Sequence, residues 1–193
     1  MRKVMFAMNI SIDGCYEHTH FAPDEQLMDY FTWLMRDTGL IVYGRKTYEL
    51  MVPFWPEVAK NKSGTPGDIA FAEAMIPIEK IVLSRTLKNA MENTRIVNEN
   101  PEGLIRELKL QPGKKIAFSS TSLLPGLLGL GLIDELHLVI HPVLVGENKR
   151  LFENFLVPEK LNFQLEHTQL FKSGAIALHY KKNETTVNNL STK

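Results

Sequence analysis

Apolar residues fall along this chain in three patterns. The first is a short run in which nearly every position is apolar. Lys3 to Ile10, Leu40-Ile41-Val42-Tyr43, Glu79 to Ser84 and Lys115-Ile116-Ala117-Phe118 are such runs, with a weaker one at Thr94 to Val97. These read as strands, the fully apolar ones covered on both faces. The second pattern has helical spacing. Leu27, Tyr30, Phe31, Leu34 and Met35 make one stripe, with Asp24 as N-cap and Gly39 as the stop. Shorter helices are predicted at Lys46 to Val52, ended by Pro53, and at Ile69 to Met75. Two more are predicted at Pro101 to Leu110 and from Leu123 through Leu128. Phe54-Trp55-Pro56 reads as an aromatic loop, and Asn61 to Asp68 as a Gly/Pro/Ser loop. The third pattern is strict alternation, at Leu136 to Ile140, Leu161 to Leu165 and Ile176 to Tyr180, with a Ser173-Gly174 hairpin turn before the last. Strands and helices alternate through the middle of the chain, which predicts an α/β protein with a mostly parallel sheet and an antiparallel end.

Composition narrows the class. The 193 residues carry 22 Lys and Arg against 22 Asp and Glu, for a net charge of zero. A binder of long nucleic acid or of an anionic membrane surface carries a basic excess, so neither partner is expected. The hydrophobic fraction of 44% and the charged fraction of 23% are those of an ordinary globule. One cysteine, Cys15, permits no internal disulfide, and no apolar run approaches the roughly 20 residues of a membrane span. A cytoplasmic protein is expected, with residues 1–182 as one domain and 183–193 as a polar, disordered tail.

Three predicted strands end in polar turns. These are Tyr43-Gly44-Arg45-Lys46-Thr47, Leu83-Ser84-Arg85-Thr86 and Phe118-Ser119-Ser120-Thr121-Ser122 before Leu123. In an open α/β sheet ligands bind at the carboxyl ends of strands, and free backbone N–H groups at helix starts favour phosphate. Three such turns, with two arginines and a lysine, describe a pocket for a ligand with several phosphates. Any single one also reads as an ordinary Ser or Thr cap. Neither a P-loop nor the Gly-x-Gly-x-x-Gly fingerprint occurs at these turns.

Gly44-Arg45-Lys46-Thr47-Tyr48-Glu49 resembles the Gly-Arg-Lys-Thr-aromatic-Glu motif of dihydrofolate reductases, and Val82-Leu83-Ser84-Arg85 resembles their next strand end. Ser11-Ile12-Asp13-Gly14, the block Gly131 to Leu138, His141-Pro142-Val143-Leu144-Val145-Gly146 and Arg150-Leu151-Phe152 are similar to the reductase domain of bacterial riboflavin-biosynthesis deaminase-reductases. The resemblance runs from Lys3 to Lys182 and implies a stand-alone form, since the zinc-binding deaminase half is absent. It implies a three-layer α/β/α dihydrofolate-reductase-like fold, with a sheet of about eight strands ending in an antiparallel hairpin. It also implies NADPH as cofactor. Gly44, Arg45, Lys46 and Thr47 would meet its phosphates, with Arg45 near the ribose 2′-phosphate. Ser84, Arg85 and Thr86 would hold the adenosine end. Ser119, Ser120, Thr121, Ser122 and Leu123 would lie under the pyrophosphate and nicotinamide ribose. The expected reaction is hydride transfer to a small planar heterocycle, imine or carbonyl, like that of 5-amino-6-(5-phosphoribosylamino)uracil reductase, and the family implies a homodimer through the late strands. Two departures stand out. Relatives often carry a Gly-Gly or Gly-Ser pair at the place of Ser119-Ser120, and the first-helix carboxylate of a true dihydrofolate reductase aligns with Met28 or Tyr30, leaving Asp29 between them.

Asp13 is the candidate catalytic residue, orienting substrate or relaying a proton; with Gly14 it also reads as a plain turn. Phe54 and Trp55 can stack on a planar substrate or pack beneath a proline-bounded loop. Asp134 and Glu135 read as a structural cap before a strand. No metal site is expected: Cys15, His18 and His20 lack a fourth ligand, and His137, His141, His167 and His179 read as half-buried strand histidines on different faces. Two alternatives remain, a divergent dihydrofolate reductase and a ligand-binding protein that keeps the fold without turnover.

Overall fold

A computed structural model describes residues 1–147, 149–153, 155 and 160–183; most of the predicted tail lies outside them. The elements are β1 (Val4–Ser11), α1 (Glu25–Arg36), β2 (Thr38–Gly44), α2 (Arg45–Met51), α3 (Phe54–Asn61), α4 (Pro66–Met75), β3 (Lys80–Leu83), β4 (Thr94–Val97), α5 (Pro101–Leu110), β5 (Lys115–Ser119), α6 (Leu124–Gly129), β6 (Glu135–His141), β7 (Phe163–Leu170) and β8 (Ile176–Lys182). They build one eight-stranded sheet in the order β4-β3-β2-β5-β1-β6-β8-β7. The first six strands in that order run parallel, β8 runs against β6, and β7 pairs antiparallel with β8. This is the three-layer fold expected from the sequence.

The continuous apolar runs became the central strands because helices cover both sheet faces. Ile105, Leu108, Leu124, Leu127 and Leu128 of α5 and α6 pack with Val4, Phe6, Leu40, Val42, Ile81, Ile116 and Phe118 on one face. Leu27, Tyr30 and Leu34 of α1 and Phe71 and Met75 of α4 pack with Met5, Ile41, Tyr43, Val82 and Ala117 on the other. Asp24 caps α1 by accepting from the Leu27 N–H at 2.8 Å. The Ser173-Gly174 turn forms with Gly174 at φ 84°, a left-handed conformation that glycine adopts freely.

Three local expectations change. Gly39 does not stop α1. The helix ends at Arg36, the Thr38 hydroxyl donates to the Leu34 carbonyl at 2.8 Å, and Gly39 sits in β2 where the pairing with β5 shifts register. A Cβ there would come within 3.1 Å of the Lys114 Cβ, so the glycine serves the bulge. Phe54-Trp55-Pro56 is no loop but the first turn of α3, because the φ of Pro53 is already helical at −72° and its missing N–H costs nothing at a helix start. Helix α4 begins three residues earlier than predicted. Thr65 and Asp68 form a reciprocal capping box and Pro66 opens the first turn.

Candidate active site

A cleft of about 1790 Å³ opens at the carboxyl ends of β1, β2, β3 and β5. All three polar turns line it: Gly44, Arg45, Lys46 and Thr47; Ser84, Arg85 and Thr86; and Ser119, Ser120, Thr121, Ser122 and Leu123. The sheet order explains the convergence, since β3, β2, β5 and β1 are successive neighbours and their carboxyl ends share one edge.

Each turn is locally fixed. Gly44 has extended backbone angles of −77° and 154°, which any residue adopts, so conformation does not require the glycine. Contact does: a Cβ there would lie 2.4 Å from the Ser120 Oγ and 2.8 Å from its Cβ. The first turn of α2 leaves its leading N–H groups without intrahelical partners. Arg45 is held in a two-pronged contact by the Glu49 carboxylate, both distances 3.0 Å. The Ser84 Oγ accepts from the Thr86 N–H at 3.2 Å and the Leu87 N–H at 3.0 Å, which closes the second turn and leaves its own proton to donate. Ser120 is buried, with its Oγ 3.4 Å from that of Ser122.

Met5, Ala7 and Asn9 of β1, Leu27, Met28, Phe31 and Met35 of α1, and Phe54, Trp55 and Phe71 supply the rest of the lining on that side. Trp55 stacks edge-on against Phe71 with ring centroids 4.7 Å apart, so it belongs both to the core and to the cleft wall. Phe54 meets Trp55 edge-on at 5.0 Å and is 57% exposed, which leaves it available to a ligand. Asp29 lines a separate pocket of about 370 Å³ with Gln26, Tyr30, Trp33, His167 and Gln169. Helix α1 therefore presents apolar side chains to the cleft.

Asp13 and Gly14 are not among the cleft residues. The Asp13 carboxylate accepts from the Ser11 hydroxyl and from the Val145 and Gly146 N–H groups at 3.2 and 2.9 Å. These bonds hold its pKa well below the usual carboxylate range, the Ser11 hydroxyl contributing most. The Arg150 Nε donates to the Asp13 carbonyl at 3.0 Å, and Arg150 does line the cleft. Asp13 thus reaches the cleft through Arg150. Glu17, also in the lining, pairs with Lys149 and with His18, and the Lys149 bond pulls its pKa down.

One site residue escaped the sequence reading. Asn9 lies at the cleft on β1, its Oδ1 3.0 Å from the His141 Nε2, while His141 stacks on Phe21 at 4.5 Å. The signal was present as one amide within an otherwise apolar strand.

The strand histidines also differ from expectation. His137 and His179 are directly opposed on β6 and β8, and His167 opposes His179 on β7, so the three form one row on one sheet face. His137 is fully buried. The Asp134 carboxylate accepts from the Val4 N–H at 2.7 Å and pairs with Lys109, which bears out its structural role. Elsewhere, Cys15 is buried, and His18 and His20 turn to Glu17 and Glu147.

Against known proteins, residues 2–177 match the RibD C-terminal domain family. YyaP of Bacillus subtilis, an uncharacterized protein, is 30% identical over 94% of this chain and 96% of its own length. Among solved structures, a putative riboflavin biosynthesis protein of Shewanella superposes with a TM-score of 0.70 at 17% identity, covering 94% of this chain and 99% of that one. A pyrimidine reductase-like protein of Corynebacterium diphtheriae gives 0.61 at 16% identity, covering 95% and 92%. RibD of Acinetobacter baumannii gives 0.62 at 18%; the match takes in 95% of this chain and 59% of that protein. These structures share the fold.

Proposed function

Because the chain belongs to the RibD C-terminal domain family, we propose that it is an NADPH-dependent reductase of a small planar nitrogen heterocycle of the aminopyrimidine kind. The observation that carries this reading is the convergence of three polar strand-end turns, with Arg45, Lys46 and Arg85, on one cleft. The donor set fits the cofactor: helix-start amides and hydroxyls for a pyrophosphate, and guanidinium groups for a further phosphate. NADPH, when bound, supplies the hydride.

The chain's own residues bind, orient and exclude water. Arg45 and Lys46 take the 2′-phosphate, with Glu49 holding the guanidinium in place beforehand. Ser84, Arg85 and Thr86 face the adenosine end, and Ser119 to Leu123 the pyrophosphate and the adjoining ribose. Met28, Phe31, Phe54 and Trp55 make an apolar wall against which a planar ring lies. Asn9, oriented by His141, offers its amide to the ring's polar edge. Asp13 is a positioning residue that sets Arg150 and the loop at Gly146. Folate reduction has no first-helix carboxylate in the cleft lining to draw on, since Asp29 opens to the other pocket and Glu25 lines neither. A homodimer through β7 and β8, where Leu165, Leu170 and Ile176 are exposed, and a cytoplasmic location belong to the same reading. Among the described residues no helix is long and apolar enough to cross a membrane.

Saturating NADPH at about a hundred times its Kd is expected to raise the melting temperature by roughly 5–10 °C. Arg45→Ala is expected to weaken NADPH by about tenfold to a hundredfold while leaving NADH nearly unchanged. No thermal shift with NADPH overturns the cofactor; equal losses for both nucleotides overturn the role of Arg45. Aminopyrimidine, pterin and quinone panels, followed by NADPH absorbance, identify the acceptor.

A further inference from the structure

We propose that Glu135, His137 and His179 form a binding site for a divalent transition-metal ion of the zinc class, separate from the reductase cleft. Glu135 and His137 are two apart on β6, and His179 is opposite His137 on β8, so all three side chains share one sheet face. The Nε2 atoms of both histidines point to the same oxygen, Glu135 Oε2, each at 3.4 Å. That spacing is long for a hydrogen bond. It matches the edge of a tetrahedron whose centre lies about 2.0–2.1 Å from each ligand, the distance of nitrogen and carboxylate ligands from zinc.

Two further observations point to a ligand. Among the described residues the His179 Nε2 is buried without a hydrogen-bond partner, an orphaned atom that native interiors seldom tolerate. The other nitrogen of His137, Nδ1, lies 2.8 Å from the Tyr30 hydroxyl. In the metal-bound form that hydroxyl accepts from Nδ1–H and leaves the Nε2 lone pair for the ion, the outer-shell arrangement typical of metal-bound histidine. The two imidazoles stack at 4.1 Å with planes 12° apart, so a modest rotation of each ring converges their lone pairs.

The present occupant of the carboxylate is the Lys115 ammonium, 3.0 Å from Glu135 Oε2 and 3.1 Å from Asp37 Oδ2. A metal ion competes with it, and Asp37 is the acceptor to which it withdraws. Tyr30, which contacts the His137 Nδ1, and His167, opposite His179 in the histidine row, also line the pocket of about 370 Å³.

Trp33 reports on the site, because its ring lies 6.5 Å from that of His137. Titration of the whole chain with Ni²⁺ is expected to quench Trp33 emission, and calorimetry with Zn²⁺ to give one site per chain. Co²⁺ is expected to give the intense visible bands of a tetrahedral site. His179→Gln abolishes all three signals. Tyr30→Phe weakens binding by about tenfold or more. Lys115→Met, which removes the competing ammonium, tightens it. His18→Ala/His20→Ala, which removes the exposed loop histidines, leaves it unchanged. Where a variant's folding is in question, circular dichroism and NADPH binding on the same sample settle it, since none of the three ligands lines the cleft. Binding that persists in folded His179→Gln, or that disappears in the loop double variant, or no binding by wild type or by Lys115→Met, overturns the proposal.

Discussion

Gly44→Ala tests how the cleft is assembled. The backbone at 44 already suits alanine, so the substitution acts through its new methyl alone. That methyl would stand 2.4 Å from the Ser120 Oγ and 2.8 Å from its Cβ, against an ordinary carbon contact of about 3.5–4.0 Å. Ser120 is 3% exposed and cannot swing outward, so the ends of β2 and β5 must part. Overpacking of this kind costs about 1–3 kcal/mol and loss of the N-cap glycine roughly 0.5 more, while the stiffer unfolded chain of alanine offsets about 0.4–1. The expected loss is about 1–3 kcal/mol, or roughly 3–10 °C in melting temperature. Ser120→Gly alone is expected to cost about 0.5–1 kcal/mol through backbone entropy. In the double variant the clash is gone. Gly44→Ala/Ser120→Gly should therefore recover at least about 1 kcal/mol relative to the sum of the two singles. Urea unfolding of the four proteins, with unchanged slopes, measures this coupling. Additivity within about 0.5 kcal/mol would refute the close approach of Gly44 and Ser120 as the reason for glycine at 44.

Asp134→Ala removes the acceptor of the Val4 N–H and the partner of the nearly buried Lys109. A loss of roughly 2–4 kcal/mol is expected in urea unfolding, partly restored by adding Lys109→Met. Lys80 sits 3% exposed, its ammonium donating to the Met75, Ile76 and Ile78 carbonyls, and burial lowers its pKa to about 8. The unfolded chain then holds this proton more tightly, so between pH 8 and 10.5 stability attributable to Lys80 rises with pH, by at most about 3 kcal/mol. Lys80→Met should lack that rise; parallel pH profiles for the two proteins would contradict it.

What the sequence disclosed follows the range of the forces involved. Leu40 to Tyr43 and Lys115 to Phe118 were legible as central strands because burial on both faces leaves a continuous apolar run. The cleft was legible because parallel strands leave their carboxyl ends on one edge, so three separate turns met there without any contact being known. Phe54-Trp55-Pro56 was misread because Pro53, which does end α2, can also open the next helix; its ring fixes φ in either case, and its helical ψ of −30° decides only in three dimensions. Gly39 was misread because a bulge needs a partner strand, and that partner, β5, comes much later in the chain. The histidine row was illegible for the same reason. Each histidine obeys its own strand's alternation, but the pairing of His137 with His179 is set by long-range register.

That register also separates the two proposed sites. Along β1 and β6, Met5 pairs with Glu135 and Ser11 with His141. Glu135 thus stands at the amino end of the parallel strands, beside Lys115 at the start of β5, whereas the polar turns of the cleft lie beyond the carboxyl ends and only its apolar floor reaches back to Met5. Six residues at about 3.3 Å each put roughly 20 Å of strand between Glu135 and the His141 that orients Asn9. Over that distance a charge change at Lys115 is largely screened from the phosphate-binding turns at physiological salt. The two readings therefore fail independently. Loss of NADPH binding in Arg45→Ala should leave the Ni²⁺ quench of Trp33 intact, and His179→Gln should leave the NADPH thermal shift intact. A variant that moved both together would mean that the sheet transmits strain between its ends, since direct electrostatics reach too short a distance.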